Sequence, residues 1–130
     1  MIDLQRRGHS GHPDDTAANY IETRPYDIDG DGAGFWGIVP WGRSFGFEGD
    51  DLAEFVRLCV LRLLDAGAVP ARHSPKGEPL LWKEQTQYGT TKEQIADAII
   101  AEWLATGGGD PPWEYLWFVT REVLETDRSE

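Results

Sequence analysis

The run Gly107, Gly108 and Gly109 constrains this chain most, because it divides its most strongly patterned stretch into two halves that must fold separately. On the N-terminal side, Thr91 and Gln94 have the spacing of a capping box. In that motif the Thr oxygen accepts an orphan amide proton and the Gln side chain reaches back to the cap. Ile95, Ile99 and Trp103 follow at spacing four, with Ala96, Ile100 and Leu104 in the adjacent row, which predicts a helix over 91–106 with one apolar face. The glycines stop it, since glycine takes the left-handed conformation at a helix end without a side-chain clash. Beyond them Asp110 reads as a second cap and Pro111 as a first helical residue. Trp113, Leu116, Trp117 and Leu124 then predict a helix over 111–125. Tyr115, Phe118 and Val119 spread its apolar face nearly all round, and the density of aromatic and β-branched residues makes a strand over 115–120 the alternative.

An earlier helix is written as clearly. Asp50 or Asp51 caps it, Leu52, Phe55, Val56, Cys59, Leu63 and Leu64 form its stripe, and Gly67 ends it, giving 50–66. Segments 20–26, 35–39, 68–72 and 80–87 are the candidate strands, the last two pairing across turn residues at 74–79. Pro40 and Gly42 end the second of them, leaving 41–49 as a glycine-rich loop. Residues 1–18 mix Gly, Pro, His and charge without periodicity and are expected to be a disordered tail. The expected fold is therefore α+β, about three helices packed on a small antiparallel sheet, with 19–130 as a single globular domain.

A chain of 130 residues can bury enough surface to fold without metal or disulfide support. Its formal net charge of −11 argues against nucleic-acid binding, which draws its affinity from Lys and Arg on phosphates, and favours a basic protein partner or solubility alone. One cysteine, Cys59, excludes an internal disulfide, and its place on an apolar helix stripe makes it a buried, inert thiol. No charged-then-apolar leader opens the sequence, and no run approaches the roughly 20 apolar residues of a spanning helix. A cytoplasmic protein, off the membrane, is expected.

Several short motifs carry chemistry in other settings. Asp27, Asp29, Asp31 and Gly32 match the first half of an EF-hand calcium loop, but Ile38 stands where the bidentate Glu belongs and Pro25 where the entering helix would run. A solvated acidic turn is the plain reading. Calcium held by those three aspartates is the alternative, and no other cofactor is suggested. Gly32, Gly34 and Gly37 spell the dinucleotide fingerprint, which needs a buried strand before it and a helix after it, a context the flanking aspartates and Pro40 oppose. Gly42, Ser44 and Gly46 spell the hydrolase elbow, with Asp65 and His73 in the required chain order. Phe47, Glu48 and Gly49, however, separate the serine from the helix that should begin beside it. His9 and His12 fall in the expected tail with no further ligands nearby, and His73 reads as a turn residue.

Six tryptophans are the oddity of the composition. Trp103, Trp113, Trp117 and Trp82 fit core positions. Trp36 and Trp41 flank Pro40 in a glycine-rich region that cannot easily bury both, and exposed Trp is enriched where proteins hold partners. The sequence thus predicts a small acidic intracellular interaction protein, of inhibitor, immunity or adaptor type. Its protein partner would be held through Trp36, Trp41, Arg43 and Phe45. A calcium-dependent or small-ligand binder is the second reading, and a serine hydrolase using Ser44 a distant third. The partner's identity and the oligomeric state are not written in the sequence.

Overall fold

A computed structural model describes residues 2–8, 15–28, 32–74, 82–112 and 115–129, and of residues 27 and 126–129 the backbone alone. The chain is mixed α+β, with five α-helices and a four-stranded antiparallel sheet among the described residues. In order these are α1 (Ala17–Glu22), a 3-10 helix (Arg24–Ile28), β1 (Ala33–Gly34), α2 (Phe35–Ser44), α3 (Gly49–Asp65), β2 (Ala68–His73), β3 (Trp82–Glu84), α4 (Lys92–Ala105), β4 (Trp117–Thr120) and α5 (Arg121–Ser129).

Helix α3 is the axle of the core. Of its expected stripe, Leu52, Phe55, Val56, Cys59 and Leu63 are buried together with Val60, while Leu64 is half-buried, and α1, α2, α4 and β2 all pack on it. Helix α4 begins with the expected capping box: the Gln94 amide donates to Thr91 Oγ1 at 3.1 Å, and Gln94 Oε1 accepts from the Thr91 amide at 3.2 Å. Gly107 and Gly108, at φ 109° and 66°, end it in a region that costs other residues a side-chain clash.

The sheet order is β1-β4-β2-β3, antiparallel throughout. Central β2 tolerates a proline because Pro70 turns toward β3 just past that strand's end: its carbonyl accepts from the Gln85 amide at 2.9 Å, and its missing N–H points to the same side, beyond Glu84, the last residue of β3. Side chains of β4 alternate between two layers. Phe118 enters the main core with Leu116, whereas Val119 joins Ala71 and Leu124 in a second cluster covered by α5.

Three sequence expectations are corrected here. The helix over 111–125 is instead β4 followed by α5, and the alternative strand holds. A strand buried on both faces reads as an unbroken apolar run, which imitates a helix that is apolar all round. Segment 35–39 opens helix α2: Phe35, Ile38, Val39 and Gly42 are buried at helical spacing, and packing on α3 outweighs Pro40 within the helix. Segment 20–26 is α1 and the 3-10 helix, with Thr16 Oγ1 capping α1 by accepting from the Asn19 amide at 3.1 Å.

The start of the chain is part of the fold where it is described. Ala17 and Ala18 amides donate to the carbonyls of Arg6 and Leu4 at 2.9 and 2.8 Å, and Ile2 is buried. Arg6 lays its guanidinium 4.9 Å from the Phe47 ring centroid and donates to the Gly46 carbonyl at 2.8 Å. Residues 9–14, with His9 and His12, lie outside the described residues, as do 75–81.

Candidate functional site

Helix α2 buries one face against α3 and turns the other outward, and that division positions the site. Trp36 and Trp41 stand on the outer face, 42% and 48% exposed. Together with Tyr26, 75% exposed on the 3-10 helix, they border a cleft of 550 Å³. Tyr20, Arg24 and Trp117 complete its walls, and Gly32, Ala33, Gly34 and Gly37 lie along its floor. Ala33 and Gly34 are the outer edge of the sheet, since β1 pairs with β4 on one side only, whereas Gly37 belongs to α2. A second hollow of 360 Å³, bordered by Asp15, Thr16, Asn19 and Thr23, shares Tyr20, Arg24 and Trp41 with the first.

The aromatic wall is braced from behind. Tyr20 sits 5.3 Å from Trp41 and 5.6 Å from Phe55, centroid to centroid, which ties the exposed ring to the core. Arg24 stacks its guanidinium 3.5 Å above the Tyr20 ring and donates through Nε to the Tyr20 carbonyl at 2.7 Å. Its charge therefore lies against a ring face, a cation–π contact worth about 0.5–1 kcal/mol in an exposed setting.

Arg43 and Phe45, expected beside the tryptophans, have other places. Phe45 is buried among Tyr20, Phe47 and Phe55. Arg43 braces the loop after α4, donating to Asp110 at 3.0 Å and to the Gly108 carbonyl at 2.9 Å. Neither lines the cleft. Tyr26 and Trp117 do, and sequence reasoning assigned neither of them a binding role. Tyr26 stands on a segment expected to be extended, and the spacing of Trp117 predicts a core position.

The remaining motifs resolve through their surroundings. Asp29, Asp31 and the side chain of Asp27 lie outside the described residues, so the calcium alternative has no geometry here. Among the described residues no group of three His, Cys, Asp or Glu converges as a metal site would. Ser44 closes helix α2, its hydroxyl donating to the Trp41 carbonyl at 2.7 Å, so no elbow between strand and helix forms around it. Asp65 pairs with Lys92, and His73 stacks on Trp82 at 4.1 Å. Gly32 and Gly34 of the dinucleotide pattern do precede a helix, contrary to expectation, and Gly37 lies within it. The strand before it, however, is a two-residue antiparallel edge, and α2 has no side-chain cap. Two of those glycines have packing reasons: a Cβ on Gly34 would collide with Trp36, and one on Gly32, at φ 95°, with the Phe118 carbonyl.

Away from the cleft, Glu102 gathers a polar network on the sheet's core side. Its Oε1 accepts from Tyr88 at 2.9 Å, from Arg72 at 3.2 Å and from the Tyr115 hydroxyl. Burial, followed by the bond to Glu102, pushes the Tyr115 phenol well above its ordinary range, and burial likewise raises Tyr88. Burial also pushes the Cys59 thiol up, as its expected inertness requires. No helix among the described residues is long and apolar enough to cross a membrane. Set against family models, curated proteins and solved structures, the chain matches none.

Proposed function

We propose that this chain is a small intracellular interaction protein, of inhibitor, immunity or adaptor type, whose working surface is the cleft bordered by Tyr26, Trp36 and Trp41. One observation carries the reading. Four large hydrophobic side chains are exposed among the described residues, and three of them border the same cleft, Leu104 being the fourth. Isolated exposed apolar residues are ordinary, but a cluster of aromatic ones is not, and Trp and Tyr dominate the residues that anchor interfaces. The net charge of −11 supports a basic partner, since opposite fields speed encounter and like fields suppress it.

Within this reading Trp36 and Trp41 make contact, whereas Phe45 and Arg43 hold the segment that presents them. The test is affinity capture from native lysate with the wild-type chain, Trp36→Ala, Trp41→Ala and Leu104→Ala. Partners retained by the wild type and by Leu104→Ala should be lost with either cleft variant. A partner retained equally by all four proteins would remove the cleft from the function.

A further inference from the structure

Several N–H donors around the cleft have no partner of their own among the described residues. The Phe35 amide donates to the Leu116 carbonyl at 3.0 Å, and Ala33 stands opposite Phe118 across β1 and β4. Main-chain groups alternate in direction along a strand, so the N–H of Gly34, between those two residues, points away from β4 and toward the cleft. The indole N–H groups of Trp36 and Trp41 have no hydrogen-bond partner among the described residues, whereas that of Trp103 donates to the Gly109 carbonyl at 2.7 Å. The Trp36 indole nitrogen lies against Gly34, so two N–H donors meet at the sheet edge, and Trp41 brings a third indole to the border of the cleft.

A ligand suited to this surface brings carbonyl acceptors and flat apolar faces, without N–H groups that the rings would strand. Anions accept hydrogen bonds too, and Arg24 in the wall would draw them at close range, but the net charge of −11 opposes their approach. An apolar helix offers faces, but its carbonyls are already bonded within the helix. Proline has a rigid apolar ring and no N–H, and in a polyproline helix its carbonyls stay unbonded and little conformational entropy is left to lose on docking. The negative field adds a preference for Lys or Arg beside the prolines.

We propose that the cleft of Tyr26, Trp36 and Trp41 takes a proline-rich segment of its partner, held as an extended polyproline helix and flanked by basic residues. The proposal rests on the cleft being the interaction surface, and it adds the class of segment that surface selects. Indole donation to proline carbonyls fixes the direction and depth of the segment, and ring-on-ring contact contributes the apolar burial.

The test titrates the isotope-labelled full chain with an oligoproline peptide flanked by arginine pairs. The readout is the indole N–H resonances of Trp36 and Trp41, assigned through Trp36→Phe and Trp41→Phe. A peptide with the same arginines but alternating alanine and serine in place of proline is the control, and the buried Trp103 indole is the internal reference. The proline peptide should shift the Trp36 and Trp41 indoles, leave Trp103 in place and bind at least about tenfold more tightly than the control. Equal binding of both peptides at these indoles overturns proline selection and leaves the cleft standing as an interaction surface. Indoles that move with neither peptide overturn the proposal as well. Whether the cleft reading falls too is then decided by the lysate capture, whose outcome does not depend on proline.

Discussion

Trp36 lies across Gly34, its indole Cδ1 only 2.5 Å from where a Cβ on that glycine would stand. A single hydrogen in place of a methyl group is what lets the ring settle over the sheet edge beside Trp117, whose Cη2 is 3.3 Å from the same point. Gly34→Ala should therefore swing Trp36 aside. Because the displaced atoms end a side chain that borders open space, the stability cost should stay within about 1 kcal/mol, while partner binding weakens about tenfold or more. Thermal unfolding and binding measured on the same preparation check it, and an unchanged affinity would show that Trp36 need not lie where it does.

Trp41 and Phe45 are neighbours in sequence and 6.2 Å apart as rings, yet they should separate cleanly by mutation. Phe45, 4% exposed, packs on Phe55 and Tyr20, so Phe45→Ala leaves a cavity and should cost about 3–5 kcal/mol. Trp41→Ala should cost about 1 kcal/mol, mainly its contact with Tyr20. Urea unfolding of the two variants gives the comparison. Similar losses would mean that Trp41 serves the core and has no surplus to offer a partner.

Among the described residues Glu102 is the side-chain acceptor for the hydroxyls of both Tyr88 and Tyr115, and it also accepts from Arg72. Glu102→Ala should cost about 1–3 kcal/mol, because it leaves part-buried donors unsatisfied. The raised phenols also set an alkaline limit. Below the ordinary phenol value near 10 both folded and unfolded states hold the proton, and stability is complete. Above it the unfolded phenols ionise first, so stability falls as pH climbs toward the folded values. Unfolding measured at about pH 9 and about pH 11 should show this loss, and Tyr88→Phe with Tyr115→Phe should shrink it. A double variant with the wild-type slope would place the alkaline limit elsewhere.

Much of the scaffold was legible without coordinates. Thr91, Gln94 and the glycines after Thr106 bound α4, and the stripe from Leu52 to Leu63 marks α3, because caps and amphipathic spacing act within a few residues and need no distant partner. Helix α2 was hidden for the opposite reason. Pro40 and Gly42 are local arguments against a helix, and only the contact of Phe35, Ile38 and Val39 with α3 outweighs them. Strand β4 was ambiguous because burial on two faces, by the main core and by α5, erases the alternation that identifies a strand.

The same division runs through the site. Sequence alone determined that Trp36 and Trp41 were too many aromatics for a glycine-rich segment to hide, and that the chain would be acidic wherever it acts. Tertiary structure alone decided which neighbours share their surface. Within one short segment, helical rotation and the turn after it send Trp36 and Trp41 outward, Phe45 into the core and Arg43 to Asp110. Folding then brings Tyr26 from before β1 and Trp117 from the far end of the chain to the same cleft. Composition counts how many rings a chain must place, whereas the face each ring occupies depends on contacts between elements distant in sequence, which no local pattern records.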